Sequence, residues 1–207
     1  MQTVDIAAVR AITERLDPEP EHALHVTTLA TALFDAVQAL HHRDKHARTQ
    51  LETAAMLHDI GYCKDARKHH KHSRDIILER ELPGFSETDR AIIACVARYH
   101  RKAHPKPQHK VYKDLDKEAR DRVRQLAALL RVADGLDRAH LGATHGLRVE
   151  TGKGRVRIYA QQDVISETDV WGGMRKRFLF EHEYNVQVEI VPECARGNGG
   201  VRTTKSK

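Results

Sequence analysis

Aromatic side chains are scarce in this sequence, at 5% of residues with a single tryptophan. That scarcity argues against a base-stacking platform for single-stranded nucleic acid. No apolar run approaches the roughly 18 residues of a membrane-spanning helix, and no charged-then-apolar leader opens the sequence. Both absences predict a soluble, cytoplasmic protein without a membrane partner. Cysteine is sparse too: Cys63, Cys95 and Cys194 are odd in number and lack metal-ligand spacing, so they read as reduced thiols rather than a disulfide framework.

What is present points another way. A chain of 207 residues, 40% hydrophobic and 31% charged, can bury a core as one compact unit. Its formal net charge of +6 favours an anionic partner: a nucleotide, polyphosphate or nucleic acid. The positive residues are dispersed, with no recognition helix or aromatic RNA motif, which argues against nucleic acid. The composition leaves room for a homo-oligomer. The strongest deviation is the 15 histidines.

One stretch organises the rest. Ala54-Ala55-Met56-Leu57-His58-Asp59-Ile60-Gly61 sets an imidazole beside a carboxylate at the polar end of an apolar helical run. Two polar groups at the end of a core helix need a partner, and a divalent metal satisfies both together. Upstream, apolar residues at helical spacing predict helices over residues 4–16 and from about Glu21, separated by Asp17-Pro18-Glu19-Pro20. His22 lies one turn below the stripe Val26, Leu29, Leu33, Val37; His25 is its rival on a more mixed face. Residues 43–49 read as a polar connection, and 50–57 as the helix that delivers His58 and Asp59.

The basic, histidine-rich segment 64–73 reads mostly as a solvated loop. His72 stands apart because it directly precedes a helix start, with Ser73 as a plausible cap. Ser86 followed by Asp89 resembles a capping arrangement for the next helix, whose inward face carries Val96 and then His100. In the helix over 117–138, Asp134 is an acid inside an apolar stripe, and it needs a metal, an arginine or a cap. His41, His42, His46, His140, His145 and His182 read as bland loop or strand-end residues. Beyond Gly142 the period changes to alternation. Residues 147–149 and 156–158 form a hairpin about Thr151-Gly152-Lys153-Gly154, a short helix bears Trp171, and 184–191 is a third strand. The predicted fold class is mainly α: a helical bundle over 1–142, then a small antiparallel β-sheet in a 143–193 extension, with 194–207 a disordered tail.

The helix-borne candidates therefore run His22, His58-Asp59, His72, His100 and Asp134. This ordered set resembles the HD superfamily of metal-dependent phosphohydrolases, whose minimal pattern is H...HD...D. The resemblance implies an HD-type bundle in which four ligands hold one ion, and two further histidines, here His72 and His100, allow a second. Mixed imidazole and carboxylate ligands suit Mn²⁺, Fe, Ni²⁺ or Mg²⁺ better than structural zinc. A closer resemblance is to the C-terminal HD-like domain of the exopolyphosphatase/guanosine pentaphosphatase family. It is carried by Glu21-His22-Ala23, His58-Asp59-Ile60-Gly61-Tyr62, His69-His70-Lys71-His72-Ser73, Leu82-Pro83-Gly84-Phe85-Ser86, Arg98-Tyr99-His100-Arg101-Lys102 and Leu130-Arg131-Val132-Ala133-Asp134-Gly135-Leu136-Asp137-Arg138, and it covers roughly residues 15–192. The sequence leaves no room for the two actin-like ATPase-fold domains that carry that family's phosphatase site, so its exopolyphosphatase activity does not simply transfer.

The chemistry this implies is hydrolysis of a phosphoester or phosphoanhydride by metal-activated water, with a nucleotide, polyphosphate or alarmone-like substrate. His58 and Asp59 stand at its centre. Lys64, Arg67, Lys71, Arg101, Lys102 and Arg138 flank the candidate ligands and could hold substrate phosphates. The alternative is a non-catalytic binding or regulatory module for polyphosphate or (p)ppGpp.

Overall fold

Five helices announce their starts chemically. Asp5, Asp44, Ser86, Asp116 and Ser166 each accept a hydrogen bond from the backbone N–H three residues on, satisfying a donor that the first turn leaves open. At Ser86 the cap is reciprocal: Asp89 Oδ2 accepts from the Ser86 N–H, as the spacing of the two residues suggests. The Asp44 cap also lengthens one helix beyond the sequence reading. It begins at Lys45, so residues 45–49 are helix rather than connection.

The computed structural model describes residues 4–194; of the tail expected over 194–207, Cys194 instead ends a strand, and 195–207 lie outside the described residues. Among the described residues nine α-helices precede or interrupt a three-stranded sheet. Helices α1 (Ile6–Leu16), α2 (Pro20–Ala36) and the short α3 (Gln38–His41) lead to α4 (Lys45–Met56). A 3-10 turn (Ile60–Cys63) joins α4 to α5 (His69–Glu79), followed by α6 (Glu87–Arg98) and α7 (Lys117–Gly135). Helix α7 is the axis of the bundle: α2, α4 and α6 all pack on it, and every residue from Leu126 to Gly135 is buried. A helix stretch buried on all sides belongs at the centre of a fold. Leu29, Leu33, Leu51, Leu57, Ile77, Ile93, Leu126 and Leu129 fill the space around it, each fully buried side chain contributing about 1.5–3 kcal/mol. No helix among the described residues is long and apolar enough to cross a membrane.

The sheet corrects one expectation. Strands β1 (Thr144–Gly152) and β2 (Arg155–Gln162) form the predicted antiparallel hairpin, with Gly154 at φ 67° in its turn. The third strand, β3 (Gln187–Cys194), pairs with β2 in parallel, Val156 opposite Val188 and Ile158 opposite Ile190. The reason lies in the connection. The segment read as one short helix is two, α8 (Glu167–Lys176) and α9 (Phe178–Tyr184), and this helical crossover returns the chain to the start of β2, as parallel pairing requires. Both crossover helices pack on α7. At the closest point Gly172 of α8 meets Gly135 of α7, where a Cβ on Gly135 would lie 2.6 Å from the Gly172 carbonyl oxygen.

Candidate functional site

The chain leaves α4 at Met56, and the next residues deliver His58, fully buried, and Asp59, nearly so. His58 Nδ1 lies 2.7 Å from the Ala55 carbonyl. A carbonyl can only accept, so Nδ1 carries the proton and Nε2 keeps a lone pair. The same device recurs twice: His69 Nδ1 donates to the Ala66 carbonyl at 2.8 Å, and His100 Nδ1 donates to the Ala97 carbonyl at 2.6 Å. Burial keeps all three rings neutral, lowering His58 and His69 to about 4 and His100 well below its ordinary range. Three unprotonated nitrogens therefore converge. His69 Nε2 and His100 Nε2 stand 3.2 and 3.4 Å from Asp59 Oδ1, and His58 Nε2 stands 3.4 Å from Asp59 Oδ2. His69 and His100 also face each other, Nε2 to Nε2, at 3.3 Å.

His22 completes the cluster from α2. Its Nδ1–H donates to Asp137 Oδ2 at 2.7 Å, its ring stacks on His140 at 3.7 Å, and its Nε2 lies 3.7 Å from Asp134 Oδ1. Burial alone would lower His22, but the Asp134 and Asp137 carboxylates outweigh it and raise the ring to about 10. Burial and the Asp134 charge push Asp59 up to about 7. Burial acts the same way on Asp134, yet the Lys176 ammonium bonded to its Oδ2 and the facing histidines hold it well below the usual carboxylate range.

Two groups of donors result, His22/His58/Asp134 and Asp59/His69/His100, and within each group all ligand atoms lie within 4.8 Å of one another. His22 Nε2, His58 Nε2 and Asp59 Oδ1 are buried without a hydrogen-bond partner among the described residues. The Nε2 lone pairs of His58 and His100 face Asp59 oxygens at 3.4 Å with no proton between them, which is unfavourable, and a cation relieves it. On that chemistry the residues fit a divalent ion.

Above the cluster opens a pocket of about 410 Å³. Among the sequence candidates Arg101, Lys102 and Arg138 line it, while Lys64, Arg67 and Lys71 are exposed and do not. Arg101 Nη1 donates to His69 Nε2 at 3.1 Å, and the buried Arg131 holds the Tyr99 and Lys102 carbonyls at 2.8 and 3.2 Å, fixing the chain about His100.

His22, His58, Asp59, His100 and Asp134 come together as the sequence suggests; His72 does not. Helix α5 starts at His69, earlier than the Ser73 start read from the sequence, so the ring that points back into the cluster from its first turn is His69. His72 sits half-buried beside Gly61, where a Cβ on the glycine would lie 2.9 Å from its own. Sequence reasoning also misses Asp137, His140 and Lys176. Asp137, three residues past Asp134, carries a legible signal in that spacing. Lys176 carries none, because it reaches Asp134 across 42 residues of chain.

The fold and site together define a helical bundle, closed by a small mixed sheet, that holds a buried imidazole–carboxylate cluster beneath a basic pocket. The chain belongs to the family described as Ppx/GppA phosphatase, domain III, whose profile matches residues 4–169. It is similar to the guanosine-5'-triphosphate,3'-diphosphate pyrophosphatase of Pseudoalteromonas translucida (strain TAC 125), 41% identical over 51 residues, which are 25% of this chain and 10% of that protein. It is similar also to the protein of the same name from Aliivibrio fischeri (strain MJ11), 26% identical over 123 residues, 59% of this chain and 25% of that protein. The chain thus matches a quarter or less of the length of these relatives.

Proposed function

We propose that this chain is a metal-dependent phosphohydrolase of the HD type, acting on a nucleotide, polyphosphate or alarmone-like substrate. The observation that carries the reading is the convergence of unprotonated imidazole nitrogens on Asp59 beneath a cationic pocket. The relatives' names support a phosphoanhydride substrate. His22, His58, Asp59 and Asp134 would hold one ion, and Asp59 with His69 and His100 a second. A divalent ion there supplies Lewis-acid assistance to water attack on phosphorus.

The chain's own groups do the rest. Arg101, Lys102 and Arg138 bind the phosphate oxygens and orient the scissile bond, since guanidinium and ammonium donors match that charge and shape. Asp137 fixes the His22 tautomer through its Nδ1–H. His140 keeps its Nδ1 bonded to Glu19 at 2.5 Å, leaving Nε2 to accept the proton that water gives up as its oxygen bonds to phosphorus and the leaving oxygen departs.

A second reading, a binding or regulatory module for polyphosphate or (p)ppGpp, is favoured by Lys176, whose ammonium bonds Asp134 Oδ2 and offsets the charge of a carboxylate that the first ion would use. One experiment separates the two: metal analysis of the purified full chain beside the His58→Ala/Asp59→Ala variant, with phosphate release measured on pyrophosphate, polyphosphate and nucleotides. About one or two ions per chain, lost together with turnover in the variant, is the expected result. Bound metal without turnover on any substrate selects the module, and metal-free, inactive wild type refutes the hydrolase.

A further inference from the structure

Trp171 is the only tryptophan of the chain, and it is 53% exposed on the wall of the cationic pocket. Its position is built rather than incidental. The next two residues, Gly172 and Gly173, are buried in α8, and Gly172 packs backbone to backbone against Gly135, which anchors the helix that carries the indole. One turn on, the Arg175 guanidinium lies 4.9 Å from the indole centroid, over the ring. One face of the indole is thus held by a cation while much of the ring stays in solvent. The other aromatic residue of the pocket, Tyr62, already stacks on His69 at 3.8 Å. Trp171, Arg175 and Lys176 all lie beyond the stretch matched by the family profile, which ends at residue 169.

Phosphate alone has no use for an exposed indole. Arg101, Lys102, Arg138, Arg175 and Lys176 supply the charge that oxyanions need, and a purely inorganic chain of phosphates would leave the apolar ring wet. A ligand with a planar aromatic group at one end and a phosphate chain at the other uses both parts. A volume of about 410 Å³ lies within the range that encloses ligands of such size. We infer that the pocket selects nucleoside polyphosphates over inorganic polyphosphate, the base stacking on the free face of Trp171 and the phosphates running over the arginines toward Asp59. This rests on the proposed phosphate-hydrolysing role of the same site, and it adds the residue that sets specificity.

The single tryptophan makes the test direct. Guanosine triphosphate titrated into the full chain should quench Trp171 fluorescence saturably, whereas inorganic tripolyphosphate should compete for the pocket with little quenching. In Trp171→Ala the ratio of nucleotide to tripolyphosphate affinity, measured by calorimetry, should fall roughly five- to a hundredfold, and Trp171→Phe should keep it within about threefold. An unchanged ratio in Trp171→Ala, or equal quenching by both ligands, overturns the inference while leaving the hydrolase reading intact if metal and tripolyphosphate turnover persist. Nucleotide-dependent quenching without turnover has the opposite meaning: the base site stands and the hydrolase reading falls.

Discussion

Replacing Gly172 by alanine tests how the two halves of the site are joined. A Cβ at Gly172 would overlap the Gly135 carbonyl oxygen and stand 2.8 Å from Arg138 Cβ and 3.2 Å from the Gly135 carbonyl carbon. Real Cβ atoms do not approach backbone that closely, and a helix backbone cannot rotate away as a flexible side chain could. Overpacking a tight contact costs about 1–3 kcal/mol, and a backbone clash belongs at the upper end of that range. Alanine in place of glycine inside a helix returns about 1 kcal/mol of propensity. The balance is a loss of roughly 2 kcal/mol, and since each kcal/mol moves Tm by about 2–4 °C in a chain of this size, Tm should fall by about 4–8 °C.

Scanning calorimetry of wild type and variant gives the answer, with Gly152→Ala as a control. A Cβ at Gly152 meets nothing within 4 Å, and its replacement should shift stability by less than about 0.5 kcal/mol. Gly135→Ala should resemble Gly172→Ala, and combining them should cost less than their sum, because α8 has then already moved away from α7. A Tm for Gly172→Ala equal to or above wild type would show that α7 and α8 are not in backbone contact. The placement of Lys176 against Asp134, one turn further along α8, would then lose its structural basis.

Two further expectations follow from single hydrogen bonds. In Asp137→Asn the Oδ1 contact to the Gly142 N–H can persist, but the amide nitrogen cannot accept from His22 Nδ1–H, so the ring loses the carboxylate that fixes Nδ1 as its donor side and turns Nε2 to the cluster. Mn²⁺ affinity by calorimetric titration should weaken about 10–100-fold, and an unchanged affinity would remove Asp137 from the site. His41 accepts the Arg43 N–H at Nδ1 and donates from Nε2 to the Phe34 carbonyl, so the buried ring is held neutral, and burial lowers its pKa below the ordinary 6.5. Because the folded pKa is the lower one, its stabilisation is complete above 6.5 and is lost as pH falls below that value toward the folded pKa, where only the unfolded chain takes up the proton. Urea unfolding of wild type between roughly pH 7.5 and pH 5 should therefore show a larger loss of stability than His41→Gln, and parallel losses would contradict the assignment.

The parts of the molecule readable in sequence are those with local causes. Val26, Leu29 and Leu33 share one helix face; Ser86 and Asp89 cap each other; His58 and Asp59 end an apolar run; and Gly154 turns a hairpin. The error at His72 has an equally definite cause. Helix α5 has no side-chain cap at Lys68, so nothing in its composition marks the true start. Its register is set from a distance instead: Ser73, which resembles a cap in sequence, turns its hydroxyl to accept the Gly61 N–H at 2.9 Å, and the packing of α5 on the 3-10 turn brings His69 to Asp59. The sense of β3 is likewise decided by a crossover whose helices must first find α7. Lys176 follows from that same docking. Local pattern thus brings the histidines and aspartates to the ends of their helices, whereas the choice among neighbouring histidines, and the cations that surround them, depends on contacts between distant segments, such as Arg101 with His69, 32 residues apart, and Lys176 with Asp134, 42 apart. Such contacts arise only when whole elements dock, and for that reason the imidazole–carboxylate cluster is far more legible in this chain than the pocket above it.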